Sequence, residues 1–163
     1  MERPEFVYTT YIDATPERVW QGLTDPAFTS RYWNITFDTD WRPGSEMVWH
    51  HHGVTITDPE QVVLESDPYR RLSYRWHSFT WDWAESLGRD AGIVPKLQGE
   101  RRSKVTFELE PVGDKVKLTV VHDDFDPGSK VLELVSGGWP QALSALKTTL
   151  ETDAVLAAVA NSA

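Results

Sequence analysis

The chain has 163 residues, of which 40% are hydrophobic, and its 25 acidic and 16 basic residues give a formal net charge of −9. This length suits one domain with a substantial core, and the composition argues against disorder. The negative charge disfavours nucleic acid and anionic membrane surfaces as partners, and no stretch approaches the roughly 18 apolar residues of a membrane span.

The chain contains no cysteine, which excludes disulfides and thiolate chemistry and fits a reducing compartment. Its first five residues, MERPE, lack the apolar region of a signal peptide. We therefore expect a cytoplasmic protein that forms a single domain over residues 1–163.

The N-terminal quarter predicts one strand followed by two short helices. Phe6 to Ile12 is rich in β-branched and aromatic residues, which is typical of a strand. Helix starts are expected at Thr15 and Asp25, because both residues cap helices and each is followed by a proline that fits the first turn. The second helix is expected to extend through Trp33.

The middle of the chain predicts a series of antiparallel strands. Apolar and polar residues alternate there in short segments separated by turn residues. The predicted strands are residues 35–38, 46–52, 54–66, 71–77, 104–110 and 116–122. The fourth strand of the chain, residues 54–66, is expected to be bulged or interrupted at Asp58-Pro59, because proline cannot donate to the strand ladder.

Residues 78–101 follow neither the strand nor the helix period, although they include Trp81 and Trp83. A segment of this length between regular elements is usually functional or mobile. We predict that residues 81–99 form a mobile flap at the mouth of a cavity.

The C-terminal part predicts one long helix. Trp139, Leu143, Leu146 and Leu150 are spaced as one stripe of a helix. Pro140 is expected in the first turn, preceded by two glycines. The element order predicts an α+β domain in which an antiparallel sheet of six or seven strands is covered by this helix.

Several motifs in the sequence, taken in order, resemble those of a known superfamily. They are ATPERVW (14–20), LTDP (23–26), WRPG (41–44), ESDPYRRL (65–72) with Trp76, VTFEL (105–109) and GWPQAL (138–143). The chain resembles the START/SRPBCC superfamily over about residues 5–152, and within it the branch of homologues of the activator of heat-shock-protein-90 ATPase. The resemblance implies a helix-grip fold, in which a curved antiparallel sheet grips the C-terminal helix around a cavity. It supplies no catalytic motif. Members of the superfamily include ligand carriers, cyclases of polyketide-like substrates and regulators of other proteins.

Inward-facing residues of the predicted strands and helix supply the candidate cavity lining. A period of two places Trp49 and His51 on one strand face and His122 on the inner face of the last strand. The candidate ligand-binding residues are Trp49, His51, Tyr74, Trp76, Phe107, His122, Trp139, Leu143 and Leu146. The two histidines would supply the few polar groups of such a pocket. Alternatively, they lie in the core or at the rim, with their hydrogen bonds made within the protein.

Glu65 and the pair His50 and His52 are further candidates for chemistry. If Val63 points inward, so does Glu65, which would then be an acid–base partner for the histidines. If its neighbours point inward instead, Glu65 is solvated, which is the interpretation we favour. His50 and His52 share a strand face at chelating spacing, but no third ligand is suitably spaced. We therefore expect no metal and no cofactor.

Three functions follow from these patterns. The first is a module that binds a small apolar or amphipathic molecule. The second is a polyketide-cyclase-like enzyme with His51, His122, Tyr74 or Glu65 as acid–base groups. The third is a regulator that docks on a protein partner, and a homodimer also remains open. Inner aromatic residues without a catalytic dyad favour the binding module, with no catalytic residue assigned.

Overall fold

The computed structural model describes the backbone of residues 4–161 and the side chains of residues 4–153. Its strands are β1 (Phe6–Ile12), β2 (Ile35–Asp38), β3 (Val48–His51), β4 (Val54–Ile56), β5 (Val63–Asp67), β6 (Arg71–Arg75), β7 (Lys104–Val112) and β8 (Lys115–Asp123). Its helices are α1 (Pro16–Thr24), α2 (Pro26–Tyr32), α3 (Trp81–Ser86), α4 (Val94–Gln98) and α5 (Lys130–Asn161), with a 3-10 turn at Ala91–Ile93.

The strands form two antiparallel sheets that join into one curved surface. Five strands pair in the order β1-β8-β7-β6-β5, and three pair in the order β2-β3-β4. The sheets meet where Glu46 bridges Val62 and where the Met47 N–H donates to the Gln61 carbonyl over 2.7 Å. With α5 against this surface, the predicted α+β helix-grip fold is confirmed.

The structure has eight strands within residues 4–161, whereas the sequence predicted six or seven. The difference arises because the chain leaves the sheet between β4 and β5, around Asp58-Pro59. The side chain of Gln61 is fully buried there, and its Nε2 donates to the carbonyls of Met47 and Ile56, each over 3.0 Å. This amide replaces the ladder bonds that the interruption removes.

The first two helices begin as predicted. Thr15 accepts a hydrogen bond from the Arg18 N–H, and Asp25 accepts one from the Ala27 N–H. Arg31 of α2 then holds α5 through two hydrogen bonds to the carboxylate of Asp153, at 3.0 and 3.1 Å.

The long helix buries its predicted stripe, but it begins earlier than expected. Trp139, Leu143, Leu146 and Leu150 are all buried. The helix starts at Lys130, so Pro140 lies inside it and not in its first turn. Part of the cause is tertiary, because the carboxylate of Glu100 accepts from the backbone N–H of Lys130 over 2.9 Å and from that of Val131 over 3.4 Å. Part is local, because Ser129 Oγ accepts from the Leu132 N–H over 3.0 Å. An acceptor 30 residues away is not visible in the local sequence around the glycines.

Residues 78–101 fold into helical turns and not into an irregular loop. Thr80 caps α3, and Asp90 caps the 3-10 turn that leads into α4. Trp83 and Leu97 are buried against the core. Helices of five or six residues are too short to show a period, which is why the sequence pattern missed them.

Within the described residues, no helix combines the length and the apolar character that crossing a membrane requires.

Candidate ligand cavity

A cavity of about 500 Å³ opens between the N-terminal half of α5 and the end of β3. This volume lies in the range of small-molecule sites. The end of α2, the segment after β6, and α3 with the turn that follows it complete the walls. The lining residues are Tyr32, Trp33, Ile35, His51, His52, Trp76, His77, Phe79, Trp83, Leu87, Arg89, Val131, Leu134, Val135, Gly138, Trp139, Gln141, Ala142 and Ala145.

Three of the nine sequence-predicted residues line this cavity, namely His51, Trp76 and Trp139. The structure places the other six in the packed interior, where they are at most 2% exposed: Trp49, Tyr74, Phe107, His122, Leu143 and Leu146. All nine face inward, as the strand and helix periods predicted. The cavity lies at one end of the sheet, however, and inward-facing residues elsewhere are covered by α5 and by one another.

Aromatic rings form most of the cavity wall. The rings of Trp33, Trp76 and Trp139 are neighbours, with centroids 5.4 to 6.2 Å apart. Beside them, the ring of Phe79 lies 4.8 Å from that of His77 and 5.0 Å from that of Trp83. Such walls provide large, rigid apolar surfaces that suit a flat apolar molecule.

His122 is a core residue, and both of its ring nitrogens form hydrogen bonds with other side chains. The indole N–H of Trp139 can only donate, so Nδ1 of His122, 3.0 Å away, is the acceptor. Nε2 therefore carries the proton and donates to Ser103 Oγ over 2.8 Å. Burial lowers the pKa of His122 to about 3. A neutral, fully hydrogen-bonded imidazole of this kind is a structural element, which agrees with the satisfied-core interpretation.

His51 and His77 line the cavity in their neutral forms. Nδ1 of His77 lies 2.6 Å from the Ser78 carbonyl, which can only accept, so this nitrogen carries the proton and Nε2 the lone pair. Burial lowers the pKa of His77 to about 4. Burial also lowers the pKa of His51 to about 3, with further contributions from the charges of His77, His52 and Arg89. Nδ1 of His51 is buried and has no hydrogen-bond partner among the described residues.

Glu65 lies outside the cavity. Its side chain is 51% exposed and forms an ion pair with Arg71 on the outer face of the sheet. The inward direction of Val63 does not carry over to Glu65, because a register shift between them breaks the period of two. The solvated interpretation of Glu65 is therefore the one that the structure supports.

The exposed histidines His50 and His52 each contact a neighbouring side chain. Nδ1 of His50 lies 3.1 Å from Thr55 Oγ1, and Nδ1 of His52 accepts from the Asn34 amide over 3.0 Å. Among the residues whose side chains are described, no group of three or more His, Cys, Asp or Glu is arranged to hold a metal ion.

Sequence reasoning missed several cavity residues, notably Trp33, His77, Phe79, Trp83 and Arg89. Alternation placed His77 on the outer face, but β6 ends at Arg75 and the chain then turns both Trp76 and His77 inward. For Phe79, Trp83 and Arg89 one signal was available. The long aperiodic segment rich in tryptophan pointed to the cavity entrance without identifying which of its side chains face inward.

Comparison with known proteins gives one family. The model of the family described as activator of Hsp90 ATPase homolog 1-like protein matches residues 13–151. No curated protein matches the chain.

Several solved structures share the fold. Protein MLL2253 from Mesorhizobium loti is 24% identical with a TM-score of 0.71, covering 91% of this chain and 98% of that one. ChR145 from Cytophaga hutchinsonii is 24% identical with a TM-score of 0.66, covering 95% and 99%. The Aha1 dimer from Colwellia psychrerythraea is 19% identical with a TM-score of 0.64, covering 91% and 96%.

Proposed function

Since the chain belongs to the family of activator of Hsp90 ATPase homolog 1-like proteins, within the START/SRPBCC superfamily, we propose that it binds a small hydrophobic or amphipathic molecule in the cavity beside α5. The observation that carries the proposal is the cavity itself. It has about 500 Å³ of space and walls dominated by tryptophan and other apolar side chains. Exposing such walls to water is unfavourable unless a ligand covers them.

Unsatisfied polar atoms beside the apolar walls support the same proposal. Nδ1 of His51 and the indole N–H of Trp83 are buried and have no partner among the described residues. Buried polar groups are normally hydrogen-bonded, so a ligand with a few polar groups would suit these two atoms. Three further atoms of this kind lie outside the lining, namely Thr29 Oγ1, Trp49 Nε1 and the Tyr74 hydroxyl.

The geometry gives less support to a cyclase-like enzyme. His122 has no free nitrogen, Glu65 lies on the outer face, and burial raises the pKa of Tyr74 well above its usual value of 10. An acid–base mechanism needs groups within reach of a substrate, and of the four candidates only His51 lines the cavity. The homodimer remains a proposal that rests on the Aha1 dimer of similar fold.

Two adjacent glycines of α5 allow a sharp test of cavity binding. Gly138 lines the cavity, and a Cβ added there would meet no atom within 4 Å, so a leucine side chain would extend into open space. Gly137 has the same freedom but is not part of the lining. Replacing either glycine by leucine raises helix propensity, so both variants are expected to stay folded.

The measurement is a fluorescence titration with the neutral probe N-phenyl-1-naphthylamine. We expect the wild type and Gly137→Leu to bind the probe with equal affinity, and Gly138→Leu to bind at least tenfold more weakly. No binding to the wild type, or equal binding to all three proteins, would contradict the proposed site.

A further inference from the structure

The charge of the cavity lining differs from that of the rest of the chain. The protein has 25 acidic and 16 basic residues, yet no Asp or Glu is among the described residues that line the cavity. Arg89 is the one Lys or Arg among the described residues that line it. An even distribution of the acidic residues over the chain would have placed some carboxylates in the lining. The described lining therefore favours an anion over a cation.

Arg89 is held at the cavity mouth by contacts that leave its charge uncompensated. Its backbone N–H donates to the Ala84 carbonyl over 2.9 Å, which fixes the turn after α3. Its guanidinium carbon lies 5.7 Å from the centre of the Trp83 ring. Among the described residues, no carboxylate lies within ion-pair distance of Arg89. A guanidinium stacked on an aromatic ring keeps its N–H groups free to bind an oxyanion with two parallel hydrogen bonds.

The polar groups beside Arg89 are consistent with an acceptor in the ligand. The indole N–H of Trp83 can only donate, and it has no partner among the described residues. His51 and His77 are neutral, since burial lowers their pKa values to about 3 and 4. They therefore add no positive charge, and Arg89 is the one side chain of the described lining that is always charged.

We propose that the ligand is a planar aromatic carboxylate whose rings contact Trp33, Trp76 and Trp139 and whose anionic group is bound by Arg89. This inference rests on the proposed function, because it assumes that the cavity is the binding site. The rigid indole walls select a flat ring system, and the single cation at the mouth selects one negative charge at its end.

The test compares two ligands of nearly the same shape, 2-naphthoate and its neutral analogue 2-naphthamide, by calorimetry at pH 7.5. We expect the wild type to bind 2-naphthoate roughly 10- to 100-fold more tightly, the range of a charge-assisted hydrogen bond. Arg89→Gln should lose this preference while it binds 2-naphthamide as the wild type does. Arg70→Gln removes the same charge from an exposed residue outside the lining, and should keep the preference.

The outcomes separate this inference from the proposed function. If N-phenyl-1-naphthylamine binds in the cavity but 2-naphthoate binds no better than 2-naphthamide, or not at all, the carboxylate inference is overturned and cavity binding stands. If Arg89→Gln and Arg70→Gln lose the preference equally, the effect comes from net charge and the role of Arg89 is overturned. If neither the probe nor the naphthalene ligands bind to the wild type, both proposals fail.

Discussion

The indole N–H of Trp139 donates to Nδ1 of His122 over 3.0 Å, so a residue of the long helix fixes the tautomer of a histidine on the last strand. The hydrogen bond is buried and joins α5 to the five-stranded sheet. It also holds the indole of Trp139 in place, and the same indole forms part of the cavity wall. Core stability and cavity shape are therefore linked at this pair.

The first prediction concerns the energetic coupling of this pair. Trp139→Phe leaves Nδ1 of His122 buried without a donor, which costs about 1–3 kcal/mol beyond the change in packing. His122→Phe removes the acceptor. It should lower the free energy of unfolding by less in the Trp139→Phe background than in the wild type. We expect the double variant to be less destabilised than the sum of the single variants by about 0.5–3 kcal/mol, as measured by urea unfolding. Simple additivity would show that the hydrogen bond contributes little.

The second prediction concerns acid. Burial holds the pKa of His51, His77 and His122 at about 3, 4 and 3, whereas a histidine in the unfolded chain titrates near 6.5. Between about pH 4 and 6.5 the unfolded chain thus binds more protons than the folded protein. Stability should be fully present above pH 6.5 and fall as the pH drops below it, by up to about 1.4 kcal/mol per pH unit for each histidine that stays neutral.

Urea unfolding at several pH values between 7.5 and 5.0 measures this dependence, in a window that lies above most carboxyl titrations. His77→Gln should reduce the slope, because glutamine does not titrate. His50→Gln changes an exposed histidine on the outer face of β3 and serves as the control. Unfolding free energies that are constant from pH 7 to pH 5 would mean that the buried histidines are not kept neutral.

Local chemistry was sufficient to predict most of the fold. The caps at Thr15 and Asp25 fix the starts of two helices within the sequence that forms them, and the stripe that ends at Leu150 shows which helix face is buried. The start of α5 has a local cap too, since Ser129 Oγ accepts from the Leu132 N–H, but the two glycines led us to expect a later start. The N–H groups of Lys130 and Val131 are satisfied by Glu100, and the sequence contains no local trace of that contact.

The cavity was harder to predict than the core. The alternation of residues along a strand shows which side chains point inward, but not which of them reach the cavity. Trp49 and His51 face the same way from β3, yet only His51 reaches the cavity, since it lies at the strand end. Alternation also fails where the backbone departs from a regular strand. A register shift turns Glu65 outward, and the end of β6 allows His77 to turn inward.

The third prediction tests the contact that starts α5. Glu100→Ala removes the acceptor of the Lys130 and Val131 N–H groups and a negative charge at the positive end of the helix dipole. We expect a loss of about 1–2 kcal/mol in urea unfolding, the scale of a lost helix cap. Glu133→Ala removes an exposed carboxylate from the first turn of the same helix and serves as the control. Equal effects of the two changes would contradict a specific role for Glu100.

The fourth prediction concerns mobility around the cavity mouth. Helices as short as α3 and α4 are marginal on their own and depend on a few buried side chains such as Trp83 and Leu97. Hydrogen exchange should therefore be faster in residues 81–99 than in β7, which lies inside the five-stranded sheet. N-phenyl-1-naphthylamine should slow exchange around Arg89 and leave β7 unchanged. Equal protection of the two regions would show that the segment is as fixed as the sheet.

The last prediction separates core tryptophans from cavity tryptophans. Trp49 is fully buried, with ring centroids 4.8 Å from Phe37 and 4.9 Å from Trp76, and it does not line the cavity. Trp49→Ala should therefore cost the roughly 3–5 kcal/mol of a close-packed aromatic residue. Trp33 lines the cavity and is only partly buried. Trp33→Ala therefore removes fewer packing contacts and should lower the free energy of unfolding by less than Trp49→Ala does. Trp33→Ala should weaken binding of N-phenyl-1-naphthylamine more than Trp49→Ala does, because Trp33 is part of the wall that the probe contacts. Urea unfolding and probe titration under conditions where both variants are folded would reveal this reversal. If Trp49→Ala weakens binding more than Trp33→Ala does, the wall has been assigned to the wrong residues.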